Sequence, residues 1–557
     1  VGKLFTLCKQ ELIDEEVKNF LQNEAELRDP TLKWAEDDLF DYSENRILPP
    51  GISFLDGFTS DDSIPGGSLF PIDPITGPTR GDIVSLERVC DILASSLGDF
   101  HLERDGYEDS EVRPKHGTGR VSNQRKDESK FDFTFWPAKL DRVFAYDWYA
   151  VTDHGQWRIH SNPDASLFIN HEHPSKLIAV PKTQNGPRLI GSEPNYHLWI
   201  QQLVRGQIES KVKTTLFRHC ISFGDQSKNR DLALTSSIDG TLATVDLKSA
   251  SDRLSCWTIE RAFRRNYTFL ERIHASRTRS MVGTLYSKPF RILLRKCFTQ
   301  GSACTFPVQT LTYSMVAIAA VIISDGVAVN SSSINSAAKE VRVFGDDIIV
   351  PNRALEKLVE LLTFLQLKVN LTKTFSKGKF RESCGMDAYD GVDVTPARLR
   401  AFSTRPSHET AISMLEGANN FFKRGMWNVS EWIASHLRKY TFPVVAVTHN
   451  NINEYRNKAV RDSGGYSSFC GSDDSFLRKR WNPHYQRYEV MHHFLTSNSK
   501  KVATQSDYDL TEFLFGKSPN HNRLRDLLDP AEGGIGVVVK KSSVMRRGWK
   551  PASSQRS

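Results

Sequence analysis

Changes in the spacing of apolar residues divide the chain into stretches of distinct texture. A helical stretch over Glu11–Glu26 comes first, and Gly, Pro and Asp punctuation from Pro49 to Gly81 reads as short elements joined by loops. Residues 103–130 hold hardly any apolar side chain and predict a mobile surface loop. From Leu177 the pattern predicts a strand, KLIAVPK, a turn at Asn185, Gly186 and Pro187, then a helix over Tyr196–Thr215 rich in Gln, Arg and Lys. LATVDL at 242–247 predicts a strand with Asp246 at its carboxyl end, and the Ser249–Asp252 cluster can cap the first turn of a following helix. The longest apolar run, Met315–Ile323, is about half of the roughly 20 residues that a membrane span needs, so it predicts a buried helix.

EVRVF and IIVP flank Gly345, Asp346 and Asp347, which predicts two short strands joined by a tight turn with adjacent carboxylates at its tip. Helical spacing over Arg353–Leu365 and the extended LKVNLTKTF then suggest a βαβ-like core around a small sheet. The basic tail KKSSVMRRGWKPASSQRS is expected to be partly disordered, and no internal repeat or heptad pattern is present.

Composition narrows the class. At 557 residues the chain suggests about three or four subdomains. Its 39% hydrophobic and 25% charged residues fit a folded soluble protein rather than a disordered or membrane one. A net charge of +7 would suit a polyanionic partner if clustered, but discriminates little alone. The eight cysteines include no CxxC pair and no zinc-ligand spacing, so reduced, cytosolic cysteines are expected. No basic and apolar signal peptide opens the chain, which argues against secretion, and a start at Val1 without methionine suggests processing or trimming.

The carboxylates carry the chemistry. Joining a 3′ hydroxyl to a nucleoside triphosphate requires two hard cations, which activate the attacking oxygen and neutralise the leaving pyrophosphate. Magnesium takes carboxylate oxygens for this task. Asp346 and Asp347 on a hairpin point to different sides, and Asp246 at a neighbouring strand end is the natural third ligand. A lone GDD is equally often a solvated turn; the apolar β-branched flanks argue for a turn held by buried strands.

With VPK at 180–182, DGTLATVDLKSASD at 239–252, FGDDIIVP at 344–351 and NLTKTFSKGKFRESCG at 370–385, the chain resembles the replicase catalytic (beta) subunits of the leviviruses, small positive-strand RNA bacteriophages. The resemblance covers roughly 180–396 and implies an α+β right-hand polymerase with fingers, palm and thumb, an antiparallel palm sheet carrying the GDD hairpin. It implies fingers and the N-terminal region with motif F over 1–235, palm motifs A to E over 236–395 with 265–300 partly a fingers insertion, and thumb plus basic tail over 396–557.

Site residues follow by resemblance. Asp246 looks like the motif A metal ligand and Asp346 with Asp347 like the motif C pair, holding two Mg2+ ions for which Mn2+ could substitute. Asp252 resembles the carboxylate that recognises the ribose 2′ hydroxyl; its alternative is a helix cap. Lys182 and Arg188 resemble the motif F cations on the triphosphate, with Glu193 orienting them, and Lys373 resembles the motif D general acid. QGSACTFPVQTLTYS supplies motif B, where Gly301 permits an unusual loop and Ser302 and Thr305 face nucleotide or template. Here the chain departs from its relatives, which carry Asn and Gly where Ser302 and Ala303 stand and Glu where Pro307 stands. FRESCG resembles motif E, with Cys384 packed rather than reactive. Arg205, Lys211, Lys213 and Arg218 could line a template path, each weighed against a merely solvated position.

The resemblance further implies primer-independent copying of a phage RNA genome from ribonucleoside triphosphates in the cytoplasm of an infected bacterium. RNA template and product, host elongation factors Tu and Ts and a small-subunit ribosomal protein would be partners, with no membrane. Three rival classes stand against it. A reverse transcriptase-like palm polymerase would place a bulky aromatic after motif A, where KSASD is small and polar. A silent RNA-binding assembly subunit would not need the intact aspartates. A metal-dependent nuclease would not need the basic triphosphate segment.

Overall fold

The computed structural model describes residues 10–31, 52–57, 77–101, 112–117, 119–124, 129–131, 133–150, 168–169, 172–183, 186–439, 446–447, 465–466, 479–501 and 539–551. Half of the predicted loop at 103–130 and the punctuated stretch from 58 to 76 lie outside these residues. The chain forms two compact units, Val1–Thr395 and Pro396–Ser557, with mixed helix and sheet content.

In the first unit, α1 (Gln10–Glu26) and α2 (Arg80–Ser96) precede an antiparallel pair, β1 (Ser175–Thr183) and β2 (Gly186–Ser192). Then come α3 (Asn195–Thr214), α4 (Ser227–Asp239), β3 (Leu242–Val245) and β4 (Leu247–Lys248). β5 (Ser280–Gly283) runs parallel to β1 and antiparallel to β6 (Phe290–Leu293), which completes a four-stranded sheet. The long helix α5 (Thr305–Ser324) leads into β7 (Arg342–Phe344), β8 (Asp347–Pro351), α6 (Leu355–Phe364) and β9 (Lys368–Val369). A hairpin of β10 (Phe380–Ser383) and β11 (Met386–Tyr389) follows.

The main core gathers around α5. A helix apolar on every face has no side to give to water, and every residue from Pro307 to Ile322 is buried. Although α5 is long and apolar enough to cross a membrane, it is enclosed by the protein's own core. Each buried Leu, Ile, Val or Met there contributes about 1.5–3 kcal/mol relative to exposure.

β8 lies between β3 and β7, antiparallel to both. Ile348, Ile349 and Val350 are all buried, as expected for a central strand covered on both faces. β9 pairs antiparallel with β4. The βαβ-like expectation is therefore corrected: α6 connects strands that pair antiparallel, in two separate small ladders. The predicted extension of LKVNLTKTF is short, because a 3-10 turn at Leu371–Lys373 interrupts it and only Phe375 bridges back to Thr244.

The expected cap is also corrected. Ser249 takes a left-handed conformation (φ 51°) before a single helical turn, Ala250–Arg253, and makes no side-chain cap bond. Ser255 caps instead, accepting from the Thr258 amide at the start of the next helix.

The second unit packs α7 (His408–Lys423) against α8 (Trp427–Arg438) through Ala411, Leu415, Ala418, Ile433 and Leu437. It also holds an antiparallel sheet of Lys479–Asn482, Arg487–Lys501 and Val539–Pro551. The tail predicted to be partly disordered thus forms a strand as far as Pro551, because its N–H and C=O groups find a full ladder partner in 489–501.

Candidate active site

The β7–β8 hairpin is closed by two residues, since Phe344 pairs with Asp347 and leaves Gly345 and Asp346 as the loop. Gly345 has φ 66°, the sign that a two-residue turn of this kind takes at its first position. A Cβ there would also sit 3.0 Å from the Phe306 ring. The loop is held from beneath by α5: the Gly345 amide donates to Thr310 Oγ1 (3.1 Å), and Phe306 packs edge-on against Phe344 at 4.9 Å between centroids. Buried strands and a buried helix together present Asp346, exposed, at the tip.

Asp246 follows β3. Val245 pairs with Ile348, so extending the register by one residue sets Asp246 opposite Asp347. Asn370 holds Asp246 twice: its amide donates to the Asp246 carbonyl (2.8 Å) and its Nδ2 to Oδ2 (2.8 Å). Oδ1 keeps no hydrogen-bond partner among the described residues.

Electrostatics tie the three aspartates together. Burial, then the Asp346 carboxylate, push the Asp347 carboxyl up to about 7, with Asp246 adding to the rise and the Cys384 hydrogen bonds opposing it. The Cys384 amide donates to Asp347 Oδ2 at 3.2 Å. Burial and Asp346 likewise push the Tyr313 phenol up. Like charges are thus crowded at the end of one ladder.

Among the described residues, no group of three or more His, Cys, Asp or Glu is gathered closely enough to hold a metal ion by itself. The donor chemistry still fits magnesium, which keeps several waters and uses one or two protein carboxylates together with substrate phosphates. A half-buried carboxylate destabilised by two like neighbours is where a divalent cation would relieve repulsion.

The other predicted residues distribute as follows. Lys182 lies on β1, but its side chain is outside the described residues. Arg188 lies on β2, exposed, with no ion pair to a described residue. Glu193 does not orient these cations as expected: it is buried and accepts from the Thr278 and Thr299 hydroxyls (2.6 Å for Thr299), and burial raises its carboxyl above the ordinary range.

Gly301 (φ 130°) packs so closely on β2 that a Cβ would collide with the Gly191 carbonyl oxygen. The Gly191 amide in turn donates to Gln300 O (2.7 Å). Ser302 is buried, with Oγ accepting from the Cys304 amide (3.3 Å), and Thr305 begins α5 with its hydroxyl donating to Thr299 O (2.6 Å). Both hydroxyls brace this loop.

Asp252 is no helix cap; Lys296 Nζ donates to its Oδ1 at 2.7 Å. Lys373 sits three residues after Asn370, half exposed, paired with Glu382 at 3.4 Å. Cys384 is buried in the β10–β11 turn, and burial pushes its thiol up to about 12. Of the basic residues on α3 and after it, Arg205 pairs with Glu209 (2.6 Å), and Lys213 and Arg218 are exposed. Lys211 is committed elsewhere, donating to the Leu97 carbonyl (3.1 Å) above the Phe100 ring, so it is not available to a template.

Sequence reading missed Asn370, Lys296 and Thr310. Asn370 and Thr310 lay inside quoted motifs without being singled out; Lys296 had no local signal, because its partner Asp252 is distant in the chain.

Comparison with known proteins gives the class first: residues 156–414 match the family model described as RNA replicase, beta-chain. That stretch is similar to the RNA replicase beta-chain family. Its named relatives are phage proteins, as the levivirus resemblance implied. The RNA-directed RNA polymerase beta chain of Escherichia phage MS2 is 34% identical over 228 residues, 40% of this chain and 37% of that one. The RNA-directed RNA polymerase subunit beta of Escherichia virus Qbeta is 32% identical over 229 residues, 41% of this chain and 35% of that one. The beta chain of Enterobacteria phage fr is 34% identical over 227 residues, 40% and 37% respectively. The matched region therefore spans little more than a third of these relatives' length. A solved RdRp complex aligns over 67% of this chain and 34% of its own at 9% identity, with a TM-score of 0.39, too low to bear on the fold.

Proposed function

We propose that the chain is an RNA-directed RNA polymerase that replicates a phage RNA genome by two-metal nucleotidyl transfer. The observation that carries this reading is the braced two-residue turn that sets Asp346 and Asp347 at the end of the ladder, with Asp246 opposite Asp347 and held by Asn370. Stability alone does not favour crowding carboxylates; a cation-dependent reaction does.

In this reading 236–395 is the palm, 1–235 holds the fingers and 396–557 is the thumb. Asp246 and Asp346 are the principal magnesium ligands, with Asp347 supporting from the half-buried side; manganese can substitute. Bound magnesium supplies the charge that activates the 3′ hydroxyl and neutralises the departing pyrophosphate. Asn370 keeps Asp246 oriented toward that charge. Lys182 and Arg188 grip the triphosphate, Asp252 accepts from the ribose 2′ hydroxyl, and Ser302 and Thr305 border nucleotide and template. Lys373, released from Glu382, donates a proton to the leaving pyrophosphate. Initiation is primer-independent at the template 3′ end. The working assembly includes elongation factors Tu and Ts and a small-subunit ribosomal protein, in the cytoplasm of the infected bacterium.

The test is incorporation of labelled ribonucleotides on an RNA ending in cytidines, with magnesium, with and without the host factors, and with deoxynucleotides as control. Template-dependent RNA synthesis that disappears in Asp246→Ala supports the reading. Preferential use of deoxynucleotides points to the reverse transcriptase class, and RNA binding by folded but inactive protein points to a silent assembly subunit.

A further inference from the structure

Asp252 is held by a residue that the motifs do not contain. Lys296 Nζ lies 2.7 Å from Asp252 Oδ1, and its side chain is only 1% exposed. Removing an ammonium from water costs several kcal/mol unless it is partnered. Lys296 has a further partner besides Asp252: its Nζ lies 3.8 Å from the centre of the Phe20 ring.

The backbone of Lys296 is fixed from both directions. The Cys256 amide donates to Arg295 O (2.9 Å) and the Cys297 amide to Leu254 O (2.8 Å), which stitches 295–297 to the chain just beyond Asp252. Glu24 Oε1 accepts the amides of Arg295 and Lys296 (3.0 Å for Lys296). The rest of α1 grips the same neighbourhood, with Asn23 and Glu26 each accepting from Arg253 Nη1 at 2.8 Å. The Asp252 side chain stays 21% exposed, and its Oδ2 has no hydrogen-bond partner among the described residues.

Resting on the polymerase reading above, we propose that Lys296 is a positioning residue for sugar selection. It binds Oδ1 of Asp252 so that Oδ2 faces the ribose 2′ hydroxyl, and α1 locks it in place through Phe20 and Glu24. A carboxylate with one oxygen tied to a rigid cation presents the other in a single orientation, so the 2′ hydroxyl gains a hydrogen bond that a 2′ hydrogen cannot make.

The experiment measures kcat/KM for a ribonucleotide and for the matching deoxynucleotide on the full chain, comparing wild type, Asp252→Asn, Lys296→Met and Lys296→Arg. The expected result for Lys296→Met is a fall in ribose preference of roughly 10- to 100-fold, the scale of one hydrogen bond to a charged group. The fall appears in KM for the ribonucleotide, while deoxynucleotide values stay in place, a selectivity that a merely structural role does not produce. Lys296→Arg restores part of the preference. If Lys296→Met does not fold, Lys296→Arg decides: a shifted preference supports the proposal and an unchanged one overturns it. A folded Lys296→Met with wild-type preference also overturns it. If Asp252→Asn alone changes the preference, the polymerase reading stands and this inference falls; if wild type incorporates no nucleotide, the reading itself fails.

Discussion

Two carboxylates in the first unit, buried Glu172 and half-buried Asp347, sit in opposite company. Glu172 receives Lys139 (2.6 Å), His197 Nε2 (3.1 Å) and both the amide (2.6 Å) and Nε (3.1 Å) of Arg279. Burial works to raise its carboxyl, and Lys139, His197 and Arg279 outweigh it, holding the group well below its ordinary value. Asp347 has instead Asp346 and Asp246 for neighbours and is pushed up to about 7. The first arrangement is what a fold makes when a charge must be buried and neutralised. The second crowds like charges at a turn braced by α5, where a substrate-bound cation would relieve their repulsion.

The contrast can be broken from the Glu172 side most violently. Glu172→Ala strands a buried ammonium and a guanidinium, and we expect a loss of about 3–5 kcal/mol in urea unfolding. The pH dependence has a defined sign: a depressed carboxyl contributes stability that is present above its ordinary value of 4.5 and lost as pH falls below it. Glu172→Gln should therefore flatten the acid limb of the stability curve. His197, lowered to about 4 chiefly by burial, stays neutral near pH 7 and does not titrate in the neutral range.

Gly301→Ala adds no charge to either cluster and sharpens the comparison differently. Its Cβ meets the Gly191 carbonyl in a backbone conformation that disfavours side chains, so about 1–3 kcal/mol should be lost and RNA synthesis should fall with it. A smaller effect belongs to the aspartates. Magnesium at several times its dissociation constant should stabilise the wild type by about 1 kcal/mol in thermal unfolding, and should not stabilise Asp246→Ala/Asp346→Ala. The smallest effect on the fold is expected from Arg188→Ala: the unfolding midpoint stays in place, while KM for nucleotides rises by roughly tenfold in steady-state assays.

Legibility in the sequence followed the range of the interactions. The hairpin was readable because its determinants are local: β-branched flanks, a Gly that can take positive φ, and two Asp at the tip. Asp246 was readable as a strand end, and the buried α5 as an uninterrupted apolar run. The cap was misread at Ser249 because Ser249 and Ser255 both precede helical turns, and only φ at Ser249 separates them. Glu193 looked like a partner for nearby cations, but the packing of β2 turns it inward to Thr278 and Thr299. Lys296 and Glu24 were invisible, since a lone Lys or Glu in sequence carries no sign that it will be buried, and their contacts span 44 and 272 residues.

The carboxylates crowded at the hairpin tip are expected to act in synthesis, and the ion-paired Glu172 in folding. The direct test is RNA synthesis by Asp346→Asn and by Glu172→Gln, each at a matched concentration of folded protein. The account predicts that Asp346→Asn folds with wild-type stability and loses more than about 100-fold in rate, the scale of one lost electrostatic contact to a transition state. It predicts that folded Glu172→Gln synthesises RNA at close to the wild-type rate. Substantial synthesis by Asp346→Asn would contradict the account, whatever Glu172→Gln does.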